Sequence, residues 1–211
     1  MAASNAEIVS FINILGPLAV AECKRRAAAG QGYVVPSVCM AQSAHETGWG
    51  TAGIMTKANA FFGIKAGGSW KGKVYTADTW EVKDGEAYNT VANFRAYDSL
   101  EDSVADYYNL IVNNSRYAAG VSYAGKQLGA YDTLYAIWAG GYATDDEYVP
   151  HVWNLLKGRD LTQWDSKVGS TDSDFTYTPP VGPVDTSGAT QYKFIKITTD
   201  GASDDYGEYE W

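Results

Sequence analysis

The stretch from Pro36 to Gly48, "PSVCMAQSAHETG", constrains the fold more than any other part of the chain. Pro36 suits the opening turn of a helix, and Gly48 suits its left-handed end. Between them Val38, Cys39, Met40, Ala41, Ser43 and Ala44 leave hardly any polar face. A helix small or apolar on nearly every side packs inside a protein with neighbours all round it. The rest of the chain must therefore supply a shell for this helix, and Glu46 falls near its C-terminal end.

The shell is readable in outline. Glu7 to Leu15 is an amphipathic helix candidate, and Pro17 opens a second helix through "LAVAECKRRAAA", with a break expected at Gly16-Pro17. From Lys73 to Arg95 the chain turns to Val, Thr, Tyr and Trp on either side of Asp84-Gly85, the signature of a β-hairpin. Helical patterning returns at "SLEDSVADYYNLIV", with Ser99 as cap and Asp102 three residues on. Two more helices are expected around Lys126–Ala139 and Asp146–Leu156. The pattern is α+β: a mainly helical body with one small antiparallel lobe.

Composition places the remainder. From Gln163 onward there are nine acidic residues against three lysines, six of the chain's nine net negative charges. Residues 1–162 are read as one folded domain and 163–190, rich in Ser, Thr, Asp, Pro and Gly, as a linker or extended strap. Residues 191–211 form an acidic tail with one candidate strand, "YKFIKITT". The net charge of −9 argues against a nucleic-acid partner. With a break at Gly16-Pro17, no apolar run reaches the length of a membrane span. No basic residue precedes the apolar stretch near the N-terminus, so no secretory signal is expected.

Several chemistries are excluded by spacing. A zinc-protease helix needs a second His four residues after His45, and that position holds Trp49. Cys23 and Cys39 form no CxxC pair, and His151 is the only other imidazole, so neither a metal nor another cofactor is expected. His45 is read as a partly buried helix residue. "GGSWKGKV" has the spacing of a phosphate-binding loop, but Val74 replaces the Ser or Thr that would hold Mg²⁺, and a strand follows instead of a helix. No Gly-x-Ser-x-Gly elbow is present. What remains is Glu46. A carboxyl in apolar surroundings at a helix C-terminus is disfavoured in its charged form by desolvation and by the helix dipole alike. Held that way, the group stays protonated toward neutral pH and can deliver a proton to a leaving oxygen; turned to solvent, Glu46 is an ordinary carboxylate, and the pattern alone fits both equally.

The blocks "PSVCMAQSAHETGWG", "KANAFFGIKAG", "WKGKVY", "FRAYDS", "SRYAA" and "GYATD" resemble, in order and spacing, the glucosaminidase family of peptidoglycan hydrolases, glycoside hydrolase family 73. The resemblance covers about Ile12 to Leu156. It implies a lysozyme-like fold and cleavage, without a metal, of the β-1,4 bond between N-acetylglucosamine and N-acetylmuramic acid. It implies Glu46 as general acid, and Glu81 as the second carboxylate with Asp78 and Asp84 as rivals. Tyr142 matches a tyrosine near the reacting sugar. Tyr117 falls on the cleft wall, and Asn59, Phe61 and Phe62 on the segment joining core to cleft, with Phe62 and Asn59 as substrate-side candidates. The implied partner is the peptidoglycan glycan strand. A muramidase, a lytic transglycosylase, or a non-catalytic glycan-binding or virion module are the alternatives on the same fold. The implied setting is a phage lysin, made in the cytoplasm of an infected bacterium or carried on the virion, with the tail docking on the body or on a virion partner.

Overall fold

The computed structural model describes residues 3–83, 86–171 and 177–179, with backbone alone for 79–83 and 86–89. The elements run α1 (Asn5–Ala28), α2 (Pro36–Thr47), α3 (Gly53–Ala58), β1 (Lys73–Lys83), β2 (Glu86–Ala96), α4 (Leu100–Val112), α5 (Ala130–Ala139) and α6 (Tyr148–Gly158). Two 3-10 turns, Ser115–Gly120 and Leu161–Lys167, complete the set. This is the α+β architecture expected: a helical body with, among the described residues, one antiparallel hairpin.

α2 is the axle. Of its twelve residues only His45 is not buried, because α1, α5, α6 and the Leu161–Lys167 turn surround it. Val35 precedes it without a side-chain cap. The cap comes instead from far along the chain: the Asp165 carboxylate accepts from the Ser37 N–H at 2.8 Å and from the Ser37 hydroxyl at 2.7 Å. Asp165 is pushed up to about 6 because burial outweighs those two bonds. Trp164, 2 % exposed, lies beside it. The packed body thus runs on through the position, 162/163, where the linker was expected to begin. Tyr177 is also buried and donates to the Arg159 carbonyl at 2.8 Å. The candidate strand and acidic tail at 191–211 lie outside the described residues.

Three expectations are corrected. First, the break at Gly16-Pro17 does not occur: α1 is one helix of 24 residues with Pro17 inside it. Pro17 removes the hydrogen bond to the Asn13 carbonyl, but Asn13 and Pro17 are both exposed, so water can take that acceptor. Beside it, Gly16 is buried where any Cβ would come within 2.5 Å of the Trp164 indole. Glycine here admits the ring that ties α1 to the segment after α6. Second, being continuous, α1 is long and apolar enough to cross a membrane by length and composition, against the expectation of no such run. In this fold its apolar stripe, Phe11, Ile12, Leu15, Ala19 and Cys23, is core. Third, the helix expected from Lys126 begins only at Ala130, because Tyr123 and Lys126 exchange backbone hydrogen bonds in a tight turn and Leu128 N–H bonds the Ser122 hydroxyl.

The hairpin starts where expected. β1 and β2 pair from Lys73↔Ala96 to Lys83↔Glu86; the Asp84-Gly85 turn itself lies outside the described residues. The hairpin base is pinned by Ile64–Ala66, which bonds β2 through Arg95 N–H to Ile64 O at 2.8 Å and Ala66 N–H to Asn93 O at 2.7 Å. Arg95 meets Asp106 of α4 through Nη1 at 2.9 Å, and the Tyr97 hydroxyl donates to the same carboxylate at 2.7 Å. Those contacts fix the β-lobe against the helical body and leave a gap between them.

Candidate active site

The gap is a cavity of about 690 Å³ with Glu46 on its wall. Glu46 sits in the last turn of α2, just before the left-handed Gly48 (φ +54°) that stops the helix. Only 7 % of it is exposed. Burial pushes its carboxyl up from the ordinary 4.5 to about 8. The helix C-terminus acts in the same direction.

Beneath Glu46 the polar groups are satisfied among themselves. Gln42, one turn earlier, accepts from the Tyr107 hydroxyl and donates to the Tyr148 hydroxyl at 2.8 Å. Ser43 donates to the Phe61 carbonyl at 2.9 Å, and the Phe61 N–H bonds the Ser103 hydroxyl at 3.0 Å. A paired, buried network holds its members in one arrangement. Glu46 stands on that network, at the boundary between core and cavity.

The remaining expected residues divide. Phe62 lines the cavity, 4 % exposed and stacked on Tyr107 with centroids 4.1 Å apart. Phe61 is wholly core. Tyr117, in the Ser115–Gly120 turn, also lines the cavity and meets the Tyr142 ring edge-on at 6.3 Å. Tyr142 is half-buried at the rim, 5.9 Å from the Tyr148 ring. Two glycines make this approach possible. A Cβ at Gly140 would come within 2.7 Å of Tyr117, and Gly141 combines φ +86° with a Cβ position 2.5 Å from Arg116. Asn59 is not on the cavity wall. It ends α3 in the left-handed region (φ +51°), and its amide donates to the Tyr97 carbonyl at 3.2 Å, so it anchors the exit of β2.

Glu81 lies on β1, paired in register with Tyr88; its side chain, like all of Asp84, is outside the described residues. Asp78 is an exposed strand residue opposite Val91. His45 is half-buried against Tyr148 and stacked 6.3 Å from His151. Burial, then the neighbouring His151, lowers its pKa. Among the described residues no three His, Cys, Asp or Glu side chains gather as metal ligands would.

Two contributors escaped the sequence reading. Arg95 and Asn93 of β2 form the wall that faces away from the core, and the glycine-rich loop Gly67–Ser69 lies at its edge. "FRAY" marks the arginine, but its role needs the fold: Asp106 grips Nη1, and the guanidinium lies 4.8 Å over the Trp70 ring.

The sequence model of the glucosaminidase family, described as mannosyl-glycoprotein endo-beta-N-acetylglucosaminidase, matches residues 24–161. The chain belongs to the glucosaminidase family. Curated relatives include the peptidoglycan hydrolase FlgJ of Escherichia coli K12, 37% identical over 134 residues, which cover 62% of this chain and 42% of that protein. FlgJ of Salmonella typhimurium is 36% identical over 152 residues, 70% of this chain and 46% of that one. The chain thus spans less than half the length of these relatives. Among solved structures, a peptidoglycan hydrolase mutant from Sphingomonas sp. A1 superposes with a TM-score of 0.61 at 33% identity, covering 74% of this chain and 97% of that one. The catalytic domain of the autolysin Auto from Listeria monocytogenes gives 0.63 at 30% identity, covering 78% and 91%. The lysozyme-like architecture is therefore that of the family. Asp165 and Tyr177 lie beyond the stretch the family model matches.

Proposed function

We propose that this chain is an endo-β-N-acetylglucosaminidase that hydrolyses the β-1,4 bond between N-acetylglucosamine and N-acetylmuramic acid in bacterial peptidoglycan, with Glu46 as general acid. One observation carries the reading: a carboxyl held at about 8 by burial opens onto a cavity of about 690 Å³ between body and β-lobe. At neutral pH that group still holds its proton, which a glycosidic oxygen needs as the bond to C1 breaks. Phe62 and Tyr117 back the cavity wall as buried aromatic rings, and half-buried Tyr142 beside them keeps surface that a sugar ring can meet. Membership of the glucosaminidase family, with relatives named peptidoglycan hydrolase and autolysin, supports the substrate class.

The positive charge that develops at C1 calls for a second group. Glu81, carried over from the family pattern, is the proposed base for a water on the opposite face of the sugar. Tyr142 at the rim is placed to orient either that water or the substrate's own N-acetyl group. Asn59 serves at a distance, by holding the hairpin exit.

Mass spectrometry of wall digests tests the reading. The parent should leave reducing N-acetylglucosamine ends, and Glu46→Gln about 10²–10⁴-fold fewer. Reducing N-acetylmuramic acid would make the chain a muramidase, and an anhydro end a lytic transglycosylase. No turnover by the parent would make it a glycan-binding module.

A further inference from the structure

Tyr131, Tyr135 and Trp138 recur at four- and three-residue spacing and so share one face of α5. An aromatic stripe of this kind ordinarily faces the core. Here Thr133, Leu134 and Ile137 are wholly buried, while Tyr131 and Trp138 pack against the core on one side only and, like Tyr135, keep part of their surface exposed. Their centroids follow one another at 6.4 Å and 5.6 Å. Trp153 of α6, also half-buried, extends the row 5.1 Å beyond Tyr131.

The row begins at the cleft. The Trp138 indole N–H donates to the Asp145 carbonyl at 3.0 Å, and the Trp138 carbonyl accepts from the Gly141 N–H at 2.8 Å. Gly141, Tyr142, Ala143 and Thr144, between those two anchors, line the cavity. The α5 row therefore starts beside the backbone segment that forms this part of the cavity wall. Rings of this type offer a wide apolar face with a polar edge, which suits the apolar face and hydroxyl rim of a pyranose. Exposed Asp132, Asp145 and Asp146 flank the row and disfavour a polyanionic partner.

We propose that Trp138, Tyr135, Tyr131 and Trp153 form a non-catalytic binding surface for the part of a hexosamine chain that runs out of the cleft. The proposal rests on the glycan substrate assigned above. Such a surface grips substrate and transition state alike, so it sets affinity for long chains and leaves the chemical step alone.

The test uses the full chain carrying Glu46→Gln, so that nothing is cleaved, titrated calorimetrically with chitin oligosaccharides of increasing length. Affinity should rise as the oligomer outgrows the cleft. Adding Tyr135→Ala should remove roughly a fivefold to tenfold gain on the long oligomers, and Tyr135→Trp should restore it. A gain with length that survives Tyr135→Ala, or no gain at all, overturns the proposal. Failure of the assigned activity would show separately, as a parent protein that turns over no wall digest.

Discussion

Glu46 carries a stability cost along with its proposed chemistry, and the sign can be worked out. Its ordinary value is 4.5 and its folded value about 8, so the folded state holds the proton more tightly than the unfolded state. That contribution is complete below 4.5 and is lost as pH rises through 8. Glu46→Gln removes the penalty of ionising in a closed site. Thermal melts of the two proteins should diverge as pH rises from 4.5 to 8, the variant becoming more stable by about 2–5 kcal/mol at most. Turnover should fall by about 10²–10⁴-fold in the same variant. A melt difference independent of pH would mean that Glu46 titrates normally. The residue was legible only in part: an apolar helix is compatible with desolvation, but the pattern alone fits a solvent-facing carboxylate equally well, and the family blocks singled Glu46 out. Arg95 and Asn93 were not, because strand alternation gives two faces and only the folded cavity, lined by both, shows which face meets it. Asn59 read as a substrate-side residue from its neighbours in "KANAFFG"; its hydrogen bonds to the chain after β2 place it in support.

At the scale of elements, α2 depends on a cap borrowed from beyond α6. Asp165→Ala leaves the Ser37 N–H and hydroxyl without their acceptor and should lower stability by about 1–2 kcal/mol, measured by denaturant melts; no change would remove Asp165 from the support of α2. Gly16→Ala sets two effects against each other. Replacing a mid-helix glycine ordinarily gains about 0.5–1 kcal/mol, but the new methyl would meet the buried Trp164 indole at 2.5 Å. Overpacking costs about 1–3 kcal/mol, so the clash should win and the variant should melt lower; a higher melting temperature would show that Trp164 yields easily. These two contacts also mark where sequence reading stops. Ser99 with Asp102 three residues on is a readable cap, and the structure has it, the Ser99 hydroxyl accepting from the Asp102 N–H at 3.1 Å. Asp165 capping a helix 128 residues away has no local signature. Pro17 was the opposite case, a strong local signal for a break overridden by packing, since the lost bond falls on the watered side of α1.

For the whole molecule, the body is larger than composition suggests. The acidic, Ser-rich stretch after Gln163 looks like linker, yet its first turn buries Trp164 and caps α2, and Tyr177 buries against the end of α6. Truncation after Gln163 should therefore lower the melting temperature and the yield of folded protein. Truncation after Pro179 should leave both intact, along with turnover of soluble wall fragments. Complete loss of turnover in the protein ending at Pro179 would place residues 180–211 in the catalytic unit. The two strands of the hairpin lobe were legible because runs rich in Val, Thr, Tyr and Trp are local signals. The cleft it forms with α2 was legible only through the family blocks, since it depends on Arg95 meeting Asp106 across two elements.

The most direct test is titration of the Glu46 carboxyl by carbon-13 NMR in the folded protein, assigned by its disappearance in Glu46→Gln. The account predicts a midpoint near 8. A midpoint near the ordinary 4.5 would mean that the group is already ionised when the sugar arrives, and the proposed general acid would have no proton to give.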